Sequence, residues 1–395
     1  MALRAKPHIA DIQPVTHGGI NCSPLAKPGA TNQSPPKMSL RGLLDCHCEE
    51  RSDEAILAQQ SDCMDILDFS TCCNPYGPPP SVNEALPAVD ITLYPDPDCR
   101  EFIGLLSRSI GAARENLLAT SGSTELLRLA ALAYTGPGDT AVIPSPTYGE
   151  YELACRIAGA RIVKYRMKED TGFRLAAVDF ISFAQKHSPS AIFLCNPNNP
   201  TGQFLSFSDI EKIVSSFPDT LIVLDEAYLS FTADAWDSLK LLRHPNVLLV
   251  RSMTKDFALA GLRLGYGIAS REIINTLKKL RPPWNVNCAA QQAGMAALNS
   301  PGHLKKCGAL INKGRDYLSA ELESLGYAVL ATDANFFLVR VGRAADFQSR
   351  LLDRGFLVRD CTSFGLPGYV RMAPRRMPDC RSLIAAIKSV QSEVK

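Results

Sequence analysis

From about residue 67 onward the chain alternates short apolar runs with longer stretches in which apolar residues return every three or four positions. Runs of the first kind read as strands covered on both faces, and stretches of the second kind as helices packed over them. The pattern predicts an α/β fold with a mostly parallel central sheet. Four runs stand out, at 140–148 (TAVIPSPTY), 191–202 (AIFLCNPNNPTG), 221–228 (LIVLDEAY) and 246–255 (NVLLVRSMTK). Each passes from apolar residues straight into polar or turn-forming ones. Those polar groups then lie at the carboxyl ends of strands, where open α/β sheets bind ligands. After Trp284 the pattern becomes helix (309–325), strand (335–341), helix (345–354), strands (357–359 and 369–373) and helix (380–394), a small α+β unit. The predicted organisation is an N-terminal segment over 1–66, a large domain over 67–284 and a small C-terminal α+β domain over 285–395.

The N-terminal segment shows no sustained periodicity and is punctuated by Pro, Gly and Ser, as in PLAKPGATNQSPPK ahead of the charge-dense CEERSDE. Residues 23–62 read as a loop insertion on that composition. Cys46, His47, Cys48 and Cys63 fall in or beside it, but a Cys-His-Cys run lacks the spacing of a zinc site, so no metal is expected.

Composition narrows the function classes. Of 395 residues 46% are hydrophobic and 21% charged, and no apolar stretch approaches the ~18 residues of a membrane span. A net charge of +2 supplies no global field to recruit nucleic acid. Thirteen cysteines, odd in number and scattered, argue for reduced thiols and a cytoplasmic protein rather than a disulfide framework.

Candidate chemistry gathers at the strand ends. SMTKDFALAGLR follows an apolar run and sets Ser252 three residues before Lys255 and Arg263 eight after it. Alone, a lysine beyond a strand reads as a solvated charge. SGSTELLRLAALAY places Ser121, Gly122, Ser123 and Thr124 ahead of an apolar helix. That is equally an ordinary N-cap and an anion site of free N–H groups. Together with LDEAY and NPNNPTG, however, the set resembles the fold-type I pyridoxal-phosphate enzymes of the class I/II aminotransferase family, from about residue 67 to the C-terminus. The resemblance implies pyridoxal 5'-phosphate as cofactor and assigns its contacts. Lys255 would bond to the cofactor aldehyde and later move the substrate proton. Asp225 would pair with the ring nitrogen, and Tyr228 and Asn199 with the ring hydroxyl oxygen. Tyr148 would stack on the ring, while Ser121, Gly122, Ser123, Thr124, Ser252 and Arg263 would cup the phosphate. Tyr94, in TLYPDPD, would reach the cofactor of a second subunit, which implies a homodimer.

The flanks are more selective. THGGI near the N-terminus, ILDFSTCCNPYGPP, and FLVRDCTSFGLPGYVRMAPR near the C-terminus resemble segments of threonine-phosphate decarboxylases of cobalamin biosynthesis, relatives of the histidinol-phosphate aminotransferases. That resemblance implies a small phospho-amino acid as substrate: Arg371 for its carboxylate, His17 and Arg359 for its phosphate, and Ser70 and Asn74 for further hydrogen bonds. A ligand with a carboxylate and a phosphate needs two separated cationic grips, a task suited to bidentate arginine. Aminotransfer to histidinol phosphate, decarboxylation of serine phosphate in a pocket altered by Cys72 and Cys73, and a non-catalytic binding role are the alternatives.

Overall fold

The computed structural model describes residues 66–300 and 302–392. His17, the 23–62 insertion and its Cys46, His47, Cys48 and Cys63 lie outside the described residues. The described chain opens on a short strand, β1 (Leu67–Asp68), and continues into a seven-stranded sheet. That sheet contains β2 (Leu117–Thr120), β3 (Thr140–Ser145), β4 (Arg161–Arg166), β5 (Ala191–Cys195), β6 (Leu221–Asp225), β7 (Val247–Ser252) and β8 (Gly265–Ala269), in spatial order β2-β8-β7-β6-β5-β3-β4. All neighbours pair in parallel except at β8, which runs antiparallel to both β7 and β2. The sheet is mostly parallel because helices return each strand to the same edge.

Alternation within the buried strands divides the core. Ile192 and Leu194 of β5 and Ile222 and Leu224 of β6 face one side, with Phe102, Leu106, Ile210 and Ala293. Phe193 and Val223 face the other, with Leu126, Leu127, Tyr151 and Ile274. Both faces of β5 and β6 are therefore covered, which is why these strands read as unbroken apolar runs. The exposed edge strand β4 carries Arg161, Lys164 and Arg166, charges that discourage pairing with another sheet edge.

A second sheet forms the C-terminal unit, with β9 (Ala328–Val329), β10 (Phe337–Arg340), β12 (Arg359–Asp360) and β13 (Tyr369–Met372) in the order β12-β13-β10-β9, all antiparallel. Its core joins Phe337, Val370 and Met372 to Leu318 and Leu322 of the Gly302–Ser324 helix and to Leu383 and Ile387 of the Met377–Ser392 helix. The strand β11 (Phe356–Leu357) pairs in parallel with β1, so Phe69 enters this core. Beyond Trp284, Val286 and three alanines of the Cys288–Leu298 helix still pack in the core of the large sheet. The segment that follows β1 thus passes between the two units, carrying residues 70–74 to the carboxyl ends of β5, β6 and β7.

Candidate active site

At those carboxyl ends a cavity of ≈ 830 Å³ opens, lined among others by Ser123, Thr124, Tyr148, Asn199, Asp225, Tyr228, Ser252, Lys255, Arg263, Arg359 and Arg371. Residues spread over some 250 positions of sequence meet there because strands of the large sheet end on one side of it and β12 and β13 of the C-terminal sheet face the same cavity.

Asp225 ends β6 and is 3% exposed. Its Oδ1 accepts the Ala227 amide at 3.0 Å and its Oδ2 accepts the Tyr151 hydroxyl at 2.8 Å. Burial pushes its carboxyl up to about 6, against the pull of those two donors. A buried carboxylate facing a cavity, short of a cationic partner among the described residues, suits a ligand that brings a positive charge. Tyr148 leans its edge on Tyr151 at 5.6 Å, and burial raises its phenol to about 12, so it stays neutral.

The NPNNPTG run owes its composition to folding as well as chemistry. Asn196 Oδ1 accepts the Leu205 amide at 2.7 Å, and Asn198 donates to Pro146 O at 3.0 Å and to Thr201 Oγ1 at 2.8 Å. These bonds staple the loop and leave Asn199 facing the cavity, where its Oδ1 accepts Arg371 Nη1. Gly202 closes the loop at φ +71°, with the Thr332 side chain against it.

An anion cradle lies at the start of the Gly122–Tyr134 helix. Glu125 Oε2 accepts the Ser121 amide at 2.6 Å and the Asn285 side-chain amide at 2.7 Å. Ser121 therefore shapes the turn rather than turning its amide to the cavity, while the next amides of the first turn have no acceptor within the helix. Backbones and the guanidinium crowd closely here. A Cβ on Gly122 would stand 2.7 Å from Arg263 Nη2, and one on Gly265 2.6 Å from the Ser123 nitrogen. Ser252 Oγ and Thr254 Oγ1 sit 2.7 Å apart at the end of β7. Hydroxyls, free amides, a helix N-terminus and one arginine form the donor set of a phosphate dianion site. With Lys255 and Asp225 on the same cavity, these residues fit pyridoxal phosphate.

Asn74 has a different place from the one expected. Its side chain donates to Asp256 O at 3.0 Å, accepts the Tyr76 amide at 3.0 Å, and its backbone amide donates to Lys255 O at 2.8 Å. With its backbone amide on Lys255 O and its Nδ2 on Asp256 O, Asn74 braces the Lys255 loop, and it is not among the residues that line the cavity. Ser70 does line it and is buried, and its carbonyl accepts Arg371 Nη2 at 2.7 Å. Tyr94 stands away from this cavity, 79% exposed and stacked on Trp284 at 4.6 Å.

The two arginines form the least expected feature. Arg359 and Arg371 are directly opposed across the β12–β13 ladder, and both are buried. Like charges facing each other on a sheet destabilise it. Burial, reinforced by the neighbouring Arg371 charge, holds the Arg359 guanidinium below its ordinary value. Arg371 lies 5.2 Å from the Phe336 ring centre, and its Nε is buried with no hydrogen-bond partner among the described residues. Arg359 donates to Ser363 Oγ at 2.8 Å. Reading along the chain missed Tyr151, Thr254 and this opposition. The spacing of Tyr151, three residues beyond Tyr148 at a helix start, was the available signal for the first.

The sequence profile of the family described as aminotransferase class I and II matches residues 64–387. The chain belongs to that family. A histidinol-phosphate aminotransferase of Moorella thermoacetica is 35% identical over 336 residues, covering 82% of this chain and 86% of the relative. The crystal structure of an L-threonine-O-3-phosphate decarboxylase from Porphyromonas gingivalis superposes with TM-score 0.73 at 27% identity, over 83% of this chain and all of that one. The fold is also shared, at TM-score 0.78 and 23% identity over 88% of this chain and 96% of the other, with a histidinol-phosphate aminotransferase from Sinorhizobium meliloti solved with pyridoxal-5'-phosphate. The protein is thus a fold-type I, pyridoxal-phosphate-dependent enzyme. Among its described residues no helix is long and apolar enough to cross a membrane.

Proposed function

We propose that this enzyme decarboxylates O-phospho-L-threonine to (R)-1-aminopropan-2-ol phosphate, a step toward cobalamin. The observation that carries the reading is the buried, directly opposed pair Arg359 and Arg371. Two guanidinium groups side by side on one buried wall of the cavity suit a ligand that brings two negative groups at once, as a phospho-amino acid does. The similarity to the P. gingivalis decarboxylase supports the same substrate class.

In this reading Arg371 takes the carboxylate, with its Nε available and its Nη atoms braced by Asn199 and Ser70. Arg359, braced by Ser363, takes the phosphate with His17. Holding both ends would fix the orientation of the substrate's α-carbon in the cavity, and orientation decides which bond breaks. When bound, pyridoxal phosphate supplies an aldehyde for the substrate amine and a ring that accepts the electrons of the breaking bond. Asp225 would stay an anion and keep the cofactor's ring nitrogen protonated. Lys255 would hold the cofactor and would be the amine that returns a proton to the α-carbon. Tyr228 and Asn199 would hydrogen-bond the cofactor's ring hydroxyl oxygen.

An aminotransferase acting on histidinol phosphate is the second reading, favoured by the 35% identity to the M. thermoacetica enzyme. There Arg359 would hold the phosphate of histidinol phosphate and Arg371 the carboxylate of the second substrate, 2-oxoglutarate or glutamate. The readings part on one experiment. The purified protein is incubated with O-phospho-L-threonine, O-phospho-L-serine or histidinol phosphate, with and without 2-oxoglutarate, and products are identified. Carbon dioxide released from threonine phosphate without an acceptor is expected; consumption of 2-oxoglutarate with histidinol phosphate instead would replace the first reading by the second.

The exposed apolar strip Ile91, Leu93 and Tyr94 supports a homodimer in which Tyr94 reaches the second subunit's cofactor. Nine free cysteines among the described residues support a reducing, cytoplasmic setting.

A further inference from the structure

We propose that Tyr151 is a positioning residue for the cofactor: its hydroxyl holds the Asp225 carboxylate in orientation and in charge. The inference rests on the reading of Asp225 as the partner of the ring nitrogen. Tyr151 is fully buried, stacked on Phe193 with ring centres 5.8 Å apart and touched edge-on by Tyr148. Its hydroxyl donates to Oδ2 at 2.8 Å. With the Ala227 amide on Oδ1, each carboxylate oxygen holds one protein donor and retains acceptor capacity for a third. The other titratable groups that face Asp225 offer no substitute. The Cys195 thiol donates to Pro197 O and is kept neutral by burial. Tyr148 is kept neutral likewise. Glu226 bears a like charge, answered by Arg251 at 2.9 Å. Tyr151 is therefore the one side-chain donor to Asp225 among the described residues.

A donor to the ionised form lowers a carboxyl pKa. Without it the Asp225 titration, already displaced to about 6 by burial, rises further. The cofactor then loses its anionic partner at a higher pH. The test is reconstitution of cofactor-free protein with pyridoxal phosphate, its affinity measured by absorbance from pH 5.5 to 9, in the wild type, Tyr151→Phe and Asp225→Asn. Phenylalanine keeps the ring and its stacking, and unfolding of the cofactor-free variant checks the fold. The expected result is a midpoint of the affinity-pH curve displaced upward by about one pH unit in Tyr151→Phe, with about a twofold loss of affinity at pH 7 and about a fivefold or greater loss near pH 6. Asp225→Asn should bind weakly with no such midpoint. A Tyr151→Phe curve whose midpoint stays in place, beside a defective Asp225→Asn, overturns the inference and leaves the reading of Asp225 standing. An Asp225→Asn curve like that of the wild type overturns both.

Discussion

Asp225→Asn should make the cofactor-free protein more stable, and more so as pH rises. The carboxyl ordinarily titrates at 3.8 and is pushed to about 6 in the folded chain by burial. A raised carboxyl pKa means that the folded state binds the proton more tightly than the unfolded one, so stability is full below 3.8 and is lost as pH rises through about 6. The shift of some two pH units corresponds to a penalty of about 3 kcal/mol at pH 8 and about 1.5 kcal/mol at pH 5, where titration is incomplete. Asparagine removes that charge penalty but supplies one acceptor oxygen to the two donors Tyr151 and Ala227, which costs about 1 kcal/mol. The net expectation is a gain of about 2 kcal/mol at pH 8 and about 0.5 kcal/mol at pH 5. Asp256, also pushed to about 6, is present in both proteins and cancels. Urea unfolding of both proteins at the two pH values, with equal m-values, measures the difference. Saturating pyridoxal phosphate should reverse the order, because ligand at a hundred times its Kd adds about 2.7 kcal/mol to whichever protein binds it. A variant less stable than the wild type by the same margin at both pH values would refute the reasoning, since Asp225 would then hold no costly charge for the cofactor to answer.

Further outcomes are expected of three other positions. Arg371→Gln removes the guanidinium proposed to hold the substrate carboxylate and should lower kcat/KM by about a hundred- to ten-thousandfold, with cofactor affinity within about threefold of wild type; equal losses of both would argue that the residue serves the cofactor. Lys255→Ala should abolish the visible absorbance of the protein-bound cofactor after gel filtration, and an unchanged spectrum would move the tether elsewhere. Gly202→Ala forces an L side chain into φ +71° and against Thr332, whose hydroxyl donates to Phe336 O at 2.7 Å; a loss of about 2–4 kcal/mol in chemical unfolding is expected, and a loss below about 0.5 kcal/mol would show that the loop relaxes without strain.

What could be read along the chain was whatever a local pattern encodes. Unbroken apolar runs at 191–195 and 221–224 announced strands covered on both faces, and they are such strands. The polar residues directly beyond them had to lie at one edge of the sheet, so Asp225, Asn199, Ser252 and Lys255 could be grouped before any contact was known, and the cavity does gather them. The helix beginning at 122 was also legible, but the division of labour in its first turn was not. Whether Glu125 or a bound anion takes the Ser121 amide depends on where Asn285 arrives, 160 residues later.

The remainder was illegible for a different reason: it depends on pairing rather than on periodicity. No window of sequence states that Arg359 lies opposite Arg371, because register across an antiparallel ladder is set by the turn between the strands and by which face each must bury. Once register is known, the pair becomes the most informative feature of the site, since it sets two buried guanidinium groups side by side on the cavity wall. Asn74 illustrates the converse. An asparagine in a motif shared with phospho-amino acid enzymes suggests a ligand contact, yet its Nδ2 donates to Asp256 O and its Oδ1 accepts the Tyr76 amide, so each side-chain amide atom has a protein partner. Residue type alone could not separate these outcomes. Buried polar groups need partners; where the chain provides them, as for Asn74, the residue holds the fold, and where it leaves an atom such as Arg371 Nε without one among the described residues, a ligand is the expected partner.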